Sequence, residues 1–238
     1  MLLQAAGIPT PDFQLLNPDI LHLFCLRFPC IVKPCGEDAS HGITAESVVR
    51  NLPALKKRVR KVAETYGDEV LVEQFIGGRE FNATVLADGT VLPVSEIVYE
   101  LGPSHPRLLT FASKWDPDSP EYRGTRVVCP AAVTPELHDR ITAAALNACR
   151  ALGCTGYARA DMRLDEKGIL NVLEVNPNPD ISPDAGAARQ AAAAGMNYAD
   201  FIETILRLAM KKEEYAHQRP AYDGRGQTRD TAHPQTFA

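Results

Sequence analysis

The chain has 238 residues, of which 45% are hydrophobic and 23% charged, and its formal net charge is −5. This composition is typical of an ordinary globular protein, and the length allows one large domain or two small ones. The acidic balance lacks the basic field of a nucleic-acid binder, and the apolar runs are too short to span a bilayer, so we expect neither nucleic-acid nor membrane partners.

The N-terminus and the cysteines favour a cytoplasmic protein. The first residues, MLLQAAG, lack the charged segment followed by a long apolar core that a secretory signal has. The six cysteines include no Cys-x-x-Cys pair, so we interpret them as reduced thiols.

In chain order, the first half predicts strands around one amphipathic helix. Residues 28–34 predict a buried strand that ends at a proline, and the small and polar residues at 35–43 predict a loop. Apolar residues at helical spacing predict a helix over 45–65. Alternating patterns predict strands at 69–76, 81–86 and 91–98, the last two forming an antiparallel hairpin around Asp88 and Gly89.

The second half predicts a long loop, a hairpin and three helices. Residues 100–126 show no sustained period, and a loop of this length is usually functional or disordered. Thr134 and Pro135 begin a helix that ends near Gly153, and further helices are predicted at 183–194 and 198–211. Because helices alternate with antiparallel hairpins and not with repeating βα units, the sequence predicts an α+β fold.

Residues 159–176 are the most informative stretch, since they predict two strands joined by a short Asp/Gly turn. Arg159 and Asp161 share one face of the first strand, and Glu174 and Asn176 share one face of the second, because strand side chains alternate. Closing the hairpin brings the two pairs together. The carboxylate and amide oxygens of Asp161, Glu174 and Asn176 could bind a Mg²⁺ ion that carries nucleotide phosphates. The arginine could stabilise charge on a transferred phosphoryl group. The alternative is a solvated hairpin edge.

Lys33 and the loop after it are candidates for binding phosphate. Lys33 lies at the end of a hydrophobic strand, where it could reach phosphate oxygens while N–H groups of residues 38–42 cradle them. Ser40 and Gly42 would allow the backbone to approach an anion closely. The alternative for Lys33 is a lysine that extends from a strand end into solvent. The alternative for Ser40 and Gly42 is an ordinary turn.

Further candidates follow along the chain. Glu73, Gln74, Phe75 and Ile76 could offer backbone groups and apolar cover to an adenine ring, and Glu80 could accept hydrogen bonds from ribose hydroxyls. Lys114, in the long loop, could reach a phosphate when that loop closes. A solvent-facing carboxylate and a surface lysine are the alternatives for Glu80 and Lys114.

Together these motifs resemble the ATP-grasp superfamily, and within it the D-alanine–D-alanine ligase-like enzymes. Each motif is weak alone, whereas their order from about Leu3 to Leu208 is specific. The matching motifs are GIPTP at 7–11, IVKP at 31–34, SHGI at 40–43, VEQF at 72–75, GREF at 78–81, CPA at 129–131, GCTGYARAD at 153–161, LEVN at 173–176 and AGMNY at 194–198.

The resemblance implies an ATP-grasp fold, in which the antiparallel sheets of two α+β subdomains grip ATP between them. We expect the subdomains at 1–77 and 78–216, the second holding the metal site, and a disordered tail at 217–238. The implied activity is ATP-dependent, ADP-forming ligation of a carboxylate to an amine through an acyl phosphate. Amino acids are the expected substrates, and the expected cofactors are ATP and two Mg²⁺ ions, with Mn²⁺ as an alternative.

The resemblance also assigns residues to roles. The metal ligands would be Asp161, Glu174 and Asn176, and the catalytic cations would be Arg159 and Lys114. The nucleotide would contact Lys33, Ser40, Gly42, Glu73, Gln74, Phe75, Ile76 and Glu80.

The chain departs from the family pattern directly after Asn176. Asp180 replaces a usual glycine, and Ala185 falls where a hydroxyl often contacts the carboxylate of the second D-alanine. Asp180 and Asp184 therefore flank the expected amine pocket, where like charge opposes an amine that carries a carboxylate. We hypothesise an acceptor other than D-alanine, with basic amines among the candidates; the alternative is that both acids face solvent and cap a helix.

The second departure lies at the front of the chain. Relatives usually carry a separate N-terminal domain that completes the carboxylate site, and the sequence lacks one. We expect either a fragment or a site that a homodimer partner or another polypeptide completes. The alternative function is a truncated or degenerate ATP-binding module without independent ligase activity.

Overall fold

A computed structural model describes residues 1–67, 69–102 and 105–210 of the protein. The described residues form two antiparallel sheets with packed helices, which confirms the predicted α+β class. The first elements are α1 (Leu2–Ala5), β1 (Phe13–Leu16), β2 (Cys30–Pro34), β3 (Val48–Val49), α2 (Leu52–Tyr66), β4 (Val70–Gln74), β5 (Glu80–Val85) and β6 (Ser95–Tyr99). The remaining elements are α3 (Phe111–Trp115), α4 (Pro120–Arg123), β7 (Thr125–Val128), α5 (Pro135–Ala151), β8 (Ala158–Leu164), β9 (Leu170–Asn176), α6 (Gly186–Ala193) and α7 (Tyr198–Met210).

The first sheet has the strand order β1-β4-β2-β3, and α2 covers one of its faces. Asn51 begins α2 by accepting a hydrogen bond from the Ala54 N–H, as expected of an N-cap residue. The apolar stripe of α2, including Leu55 and Val59, packs on Val32 and neighbouring strand residues. Since strand side chains alternate, the opposite face, which carries Ile31 and Lys33, stays free of this helix.

The second sheet has the order β7-β6-β5-β8-β9, and α5 covers one of its faces. Ile141, Ala145 and Ala148 of α5 pack on strand residues that include Phe81 and Met162, all of them fully buried. Helices α6 and α7 form a smaller cluster beyond the end of β5. The polar residues of β5 and β8 therefore point to the face opposite α5.

Several predicted elements have different bounds in the structure. Residues 45–65 form a short 3-10 turn and β3 before α2, and the Thr44 N–H donates a 3.0 Å hydrogen bond to the Ser47 hydroxyl at this turn. The strand predicted at 91–98 begins later, at Ser95, where β6 starts. The long loop predicted at 100–126 contains α3, α4 and the start of β7. The helix predicted at 183–194 begins at Gly186.

The predicted division at residues 77 and 78 falls between β4 and β5, in the connection between the two sheets. The division into subdomains remains a prediction, and the tail at 217–238 lies outside the described residues. Among the residues described, none of the helices combines the length and apolar character needed to cross a membrane.

Candidate active site

A cleft of about 1170 Å³ lies between the sheet faces that α2 and α5 leave uncovered. The first sheet contributes Lys33 and Glu73, the second contributes Asp161 and Glu174, and the segment around Lys114 adds a further wall. The sequence-predicted candidates that line the cleft are Lys33, Ser40, Glu73, Gln74, Phe75, Ile76, Glu80, Lys114, Arg159, Asp161, Glu174 and Asn176. Of the predicted set, Gly42 alone is outside this lining.

A β-bulge in the β8–β9 hairpin decides which side chains of β9 face the cleft. Met162 pairs with Val172, but the neighbouring Asp161 pairs with Glu174, so Leu173 is an additional residue in β9. Without it, Leu173 would lie opposite Asp161, because a shift of one residue exchanges the two faces of a strand. The bulge therefore places Glu174 beside Asp161 and Asn176 beside Arg159.

Asp161 is held firmly in place. Its side-chain oxygens accept hydrogen bonds of 2.7 and 2.8 Å from Nε and Nη2 of Arg159. Its Oδ1 also accepts a 2.7 Å bond from Nδ2 of Asn82 on β5. Asn82 was missed in the sequence, although it occupies the same face of its strand as Glu80.

Glu174 lies at the cleft wall, open to the cleft but surrounded by protein. This burial, together with the negative charge of Asp161, raises the pKa of Glu174 to about 7, while Lys33 and Arg159 act in the opposite direction. Two carboxylates at close quarters favour a cation between them. No group of three or more His, Cys, Asp or Glu with metal-site geometry occurs in the described part of the chain, so a metal set here consists of two carboxylates and the Asn176 amide.

Lys33 and Glu73 form an ion pair on the cleft face of the first sheet. Their strands are neighbours, and Glu73 pairs in register with Ile31, two residues before Lys33. The Lys33 charge also acts on Glu174 of the second sheet. Lys33 therefore lies where the two sheets approach each other across the cleft.

The loop after β2 has a backbone suited to an anion. Ala39, Ser40 and Gly42 have φ angles of 48°, 65° and 70°, and no hydrogen bond involves their N–H groups within the described residues. Successive free N–H groups in such a turn form an anion-binding concavity. Gly42 lies at the base of the loop, where a Cβ would meet Pro34 at 2.8 Å and Tyr66 at 2.9 Å.

Glu80 is enclosed by groups that the sequence interpretation did not include. Tyr99 donates a 2.5 Å hydrogen bond to Glu80, and Arg163 binds the same carboxylate oxygen through Nε at 3.0 Å and through Nη2. Arg163 also donates a 2.7 Å bond to the Ile76 carbonyl and lies over the Phe75 ring. The continued alternation of polar residues after Arg159 and Asp161 was the signal that could have identified Arg163.

Lys114 lies on the short helix α3, which crosses the cleft. Burial, and secondarily the positive charge of Arg159, lower the pKa of Lys114, while Glu174 and Asp161 raise it. The segment contacts the loop after β2 at two points. The Phe111 N–H donates a 3.1 Å hydrogen bond to the Ile43 carbonyl, and the Phe111 and His41 rings stack with their centroids 5.3 Å apart. The predicted closing loop thus contacts the first-sheet side of the cleft, and its Lys114 lies within the electrostatic influence of Arg159, Asp161 and Glu174 on the second sheet.

Asp180 and Asp184 both line the cleft, and Arg189 lies among the lining residues as well. Oδ1 of Asp180 accepts bonds of 2.8 and 2.6 Å from the N–H and hydroxyl of Ser182, and these bonds lower the Asp180 pKa. The N-cap residue of helix α6 is Ala185, which has no side-chain hydrogen bond to the helix, so neither acid serves as the helix cap that the alternative interpretation assumed.

Known structures share this fold. The D-alanine–D-alanine ligase from Bacillus anthracis complexed with ATP aligns with a TM-score of 0.68 and 25% identity, over 90% of this chain and 65% of that chain. The VanG D-Ala:D-Ser ligase from Enterococcus faecalis aligns with a TM-score of 0.69 and 25% identity, over 87% of this chain and 59% of that one.

The family described as D-ala D-ala ligase C-terminus matches residues 2–207, and the chain therefore belongs to this family. The resemblance found in the motifs is confirmed. The uncharacterized protein y4sG of Sinorhizobium fredii is 31% identical over 89% of this chain and 61% of its own length. The D-alanine–D-alanine ligase of Gloeobacter violaceus is 34% identical over 86% and 65%. The chain thus spans somewhat less than two thirds of these relatives.

Proposed function

We propose that the protein is an ATP-dependent, ADP-forming carboxylate–amine ligase that acts through an acyl phosphate. The observation that carries this proposal is the convergence of Lys33 from one sheet and Arg159, Asp161 and Glu174 from the other on a single cleft. Family membership supports it, since relatives of similar fold are named as ligases of D-alanine.

In this proposal ATP lies between the two sheets. Backbone groups of residues 73–76 bind the adenine edge, and Glu80 binds the ribose. Lys33 and the N–H groups of Ala39, Ser40 and Gly42 bind the phosphates, which the positive φ angles of these three residues and the lack of an acceptor for their N–H groups among the described residues support. The ring of Phe75 offers apolar cover to the base.

We propose Asp161, Glu174 and Asn176 as ligands of a divalent cation; their hard oxygen donors on neighbouring strands of one hairpin, and the paired carboxylates of Asp161 and Glu174, support this. We propose Mg²⁺, with two ions per site and Mn²⁺ as an alternative. When bound, the metal supplies charge neutralisation to the ATP phosphates.

The chain's own residues bind and neutralise the reacting groups. An oxygen of the substrate carboxylate attacks the γ-phosphorus of ATP, the bond to the β–γ bridging oxygen breaks, and ADP leaves. The amine nitrogen then attacks the acyl carbon, loses a proton, and inorganic phosphate departs. Arg159 and Lys114 stabilise the negative charge in both steps, and the segment bearing Lys114 excludes water from the acyl phosphate.

We propose an amino acid as the carboxylate substrate and a small amine, with basic amines and amino acids among the candidates, as the acceptor. Because the curated relatives extend well beyond the matched region, we also propose that further polypeptide or a second copy of the chain contributes to the carboxylate site. Neither nucleic acid nor a membrane is part of the proposal.

Release of ADP and phosphate from Mg·ATP with a panel of amino acids tests the activity. We expect Glu174→Gln to abolish release, because the charge of a carboxylate beside Asp161 is lost. Glu166→Gln, in the exposed turn of the same hairpin, is the matched control and should turn over like the unchanged protein. Undiminished release by Glu174→Gln contradicts the site, and nucleotide binding without release under any amine supports the alternative of an ATP-binding module.

A further inference from the structure

Gln190 of α6 is a fully buried polar side chain inside an alanine-rich helix, at 0% exposure. Its Oε1 accepts a 3.1 Å hydrogen bond from the Thr84 N–H. Its Nε2 donates to the Asn82 carbonyl at 2.9 Å and to the Ser95 hydroxyl at 3.1 Å. Buried polar groups persist where they are bonded in this way, so Gln190 has a defined set of partners on β5 and β6.

A gap in the pairing of β5 explains why this strand needs these bonds. Its pairing with β6 stops at Asn82 and Ser95 and resumes only where the Leu92 N–H binds the Thr84 carbonyl and Val85 pairs with Val91. Gln190 binds the Thr84 N–H and the Asn82 carbonyl in the gap between these pairings. Helix α6 thus fixes the backbone of β5 at Asn82.

The side chain of Asn82 extends this connection into the cleft. Asn82 pairs in register with Asp161 on β8, and its Nδ2 lies 2.7 Å from Oδ1 of that aspartate. A continuous set of hydrogen bonds therefore runs from Gln190 through Asn82 to Asp161.

Asp161 receives hydrogen bonds from side chains on two strands. Arg159, on the same strand, binds both of its oxygens through Nε and Nη2, which uses two of the five guanidinium N–H donors. Asn82, on β5, binds Oδ1. Because Asn82 has no proposed contact with a substrate, its bond holds the carboxylate even when Arg159 turns toward a transferred phosphoryl group.

We propose that Asn82 and Gln190 are positioning residues, which hold the Asp161 carboxylate in the orientation required to bind the divalent cation. The inference rests on the proposed metal role of Asp161. It adds helix α6, through one glutamine, to the elements that determine metal affinity.

Binding of Mn²⁺ in the presence of ADP, followed by electron paramagnetic resonance, tests the proposal without relying on turnover. We expect Asn82→Ala to weaken Mn²⁺ binding about tenfold or more, as is usual when a partner of a metal ligand is removed. Gln190→Met should weaken binding in the same direction. The double variant should bind about as weakly as Asn82→Ala, because Gln190 acts through Asn82.

Two matched controls separate positioning from general loss of stability, which thermal unfolding measures in parallel. Asn171→Ala removes a buried strand asparagine whose side chain donates to the Ile169 carbonyl. Gln14→Met removes a glutamine of the first sheet whose side chain donates to the Leu23 carbonyl and accepts from the Cys25 N–H. Both should leave Mn²⁺ affinity unchanged. If Gln190→Met fails to fold, the Mn²⁺ affinity of Asn82→Ala still tests the proposal, because that variant keeps the bonds of Gln190 to the backbone of β5.

The outcomes distinguish this inference from the proposed function. Failure of the unchanged protein to bind Mn²⁺ overturns the metal role of Asp161, and the inference with it. Two results overturn the inference alone, provided that the unchanged protein binds Mn²⁺. The first is an Mn²⁺ affinity of Asn82→Ala within about twofold of that of the unchanged protein, and the second is an equal weakening by Asn171→Ala.

Discussion

At the residue scale, the ion pair of Arg163 and Glu80 is almost entirely buried, with side-chain exposures of 3% and 7%. Burial removes water from both charges, and the remaining donors of Arg163 bind the Ile76 carbonyl and the Tyr99 hydroxyl. Such a pair is costly to break, because removing one partner leaves the other as an uncompensated buried charge. Arg163 therefore links the candidate ribose residue to the candidate adenine segment.

We expect Arg163→Met to lower the free energy of unfolding by about 3–5 kcal/mol, measured by urea denaturation. The pair Arg126–Glu100 is the matched control, since its N–O distance is 2.6 Å but its side chains are 55% and 59% exposed. Arg126→Met should change the free energy of unfolding by only about 0–1 kcal/mol. Adding Glu80→Leu to Arg163→Met should restore part of the loss; equal effects of the two arginine substitutions would contradict the burial argument.

At the element scale, the connection from β4 to β5 passes directly against the end of β8. A Cβ on Gly78 would lie 1.7 Å from the Leu164 carbonyl oxygen and 2.9 Å from its carbon. The next residue, Arg79, accepts a 3.0 Å hydrogen bond from the Leu164 N–H, so the two backbones cannot separate without losing that bond. The glycine is required here by close approach, and not by a positive φ.

Gly78→Ala should therefore destabilise the protein by about 3 kcal/mol, the upper part of the range for overpacked sites. Gly77→Ala is the control one residue away, where a Cβ would meet only Phe75, at an ordinary 3.6 Å. Thermal or urea unfolding of the two variants provides the comparison. A Gly78→Ala protein as stable as Gly77→Ala would show that this connection can shift away from β8.

At the scale of the whole molecule, the cleft carries opposite charges in different regions. Lys33, Lys114 and Arg159 lie where the phosphates are proposed to bind, and Asp180 and Asp184 lie along the segment beyond the metal candidates. Arg189 is close to this acidic region, where it donates a 2.9 Å bond to the Asp184 carbonyl. The lowered pKa of Asp180 keeps that side chain charged well below neutral pH.

This distribution predicts an acceptor that is a basic amine. We expect lysine-like amines to stimulate ADP release more than D-alanine does, since the two acids oppose a second carboxylate and attract a second ammonium group. Asp180→Asn should reduce this preference, whereas Asp200→Asn, on the exposed part of α7, should not. Stimulation by D-alanine alone would refute the prediction.

The sequence by itself determined the α+β class, the identity of most charged cleft residues and their grouping on strand faces. These follow from local rules: side chains alternate along strands, helices repeat every 3.6 residues, and Asp/Gly turns close hairpins. The pairs Arg159 with Asp161 and Glu174 with Asn176 were recognised in this way, and they do converge.

Tertiary structure alone decided how the two pairs meet and what supports them. The extra residue Leu173 sets the face of Glu174, and a bulge depends on pairing and packing across strands, which no local pattern encodes. Arg163 and Gln190 have their partners 83 and 106 residues away in the chain, at Glu80 and Thr84. Such contacts form only when the sheets and α6 come together, and for this reason the residues that support the site were found in the fold and not in the sequence.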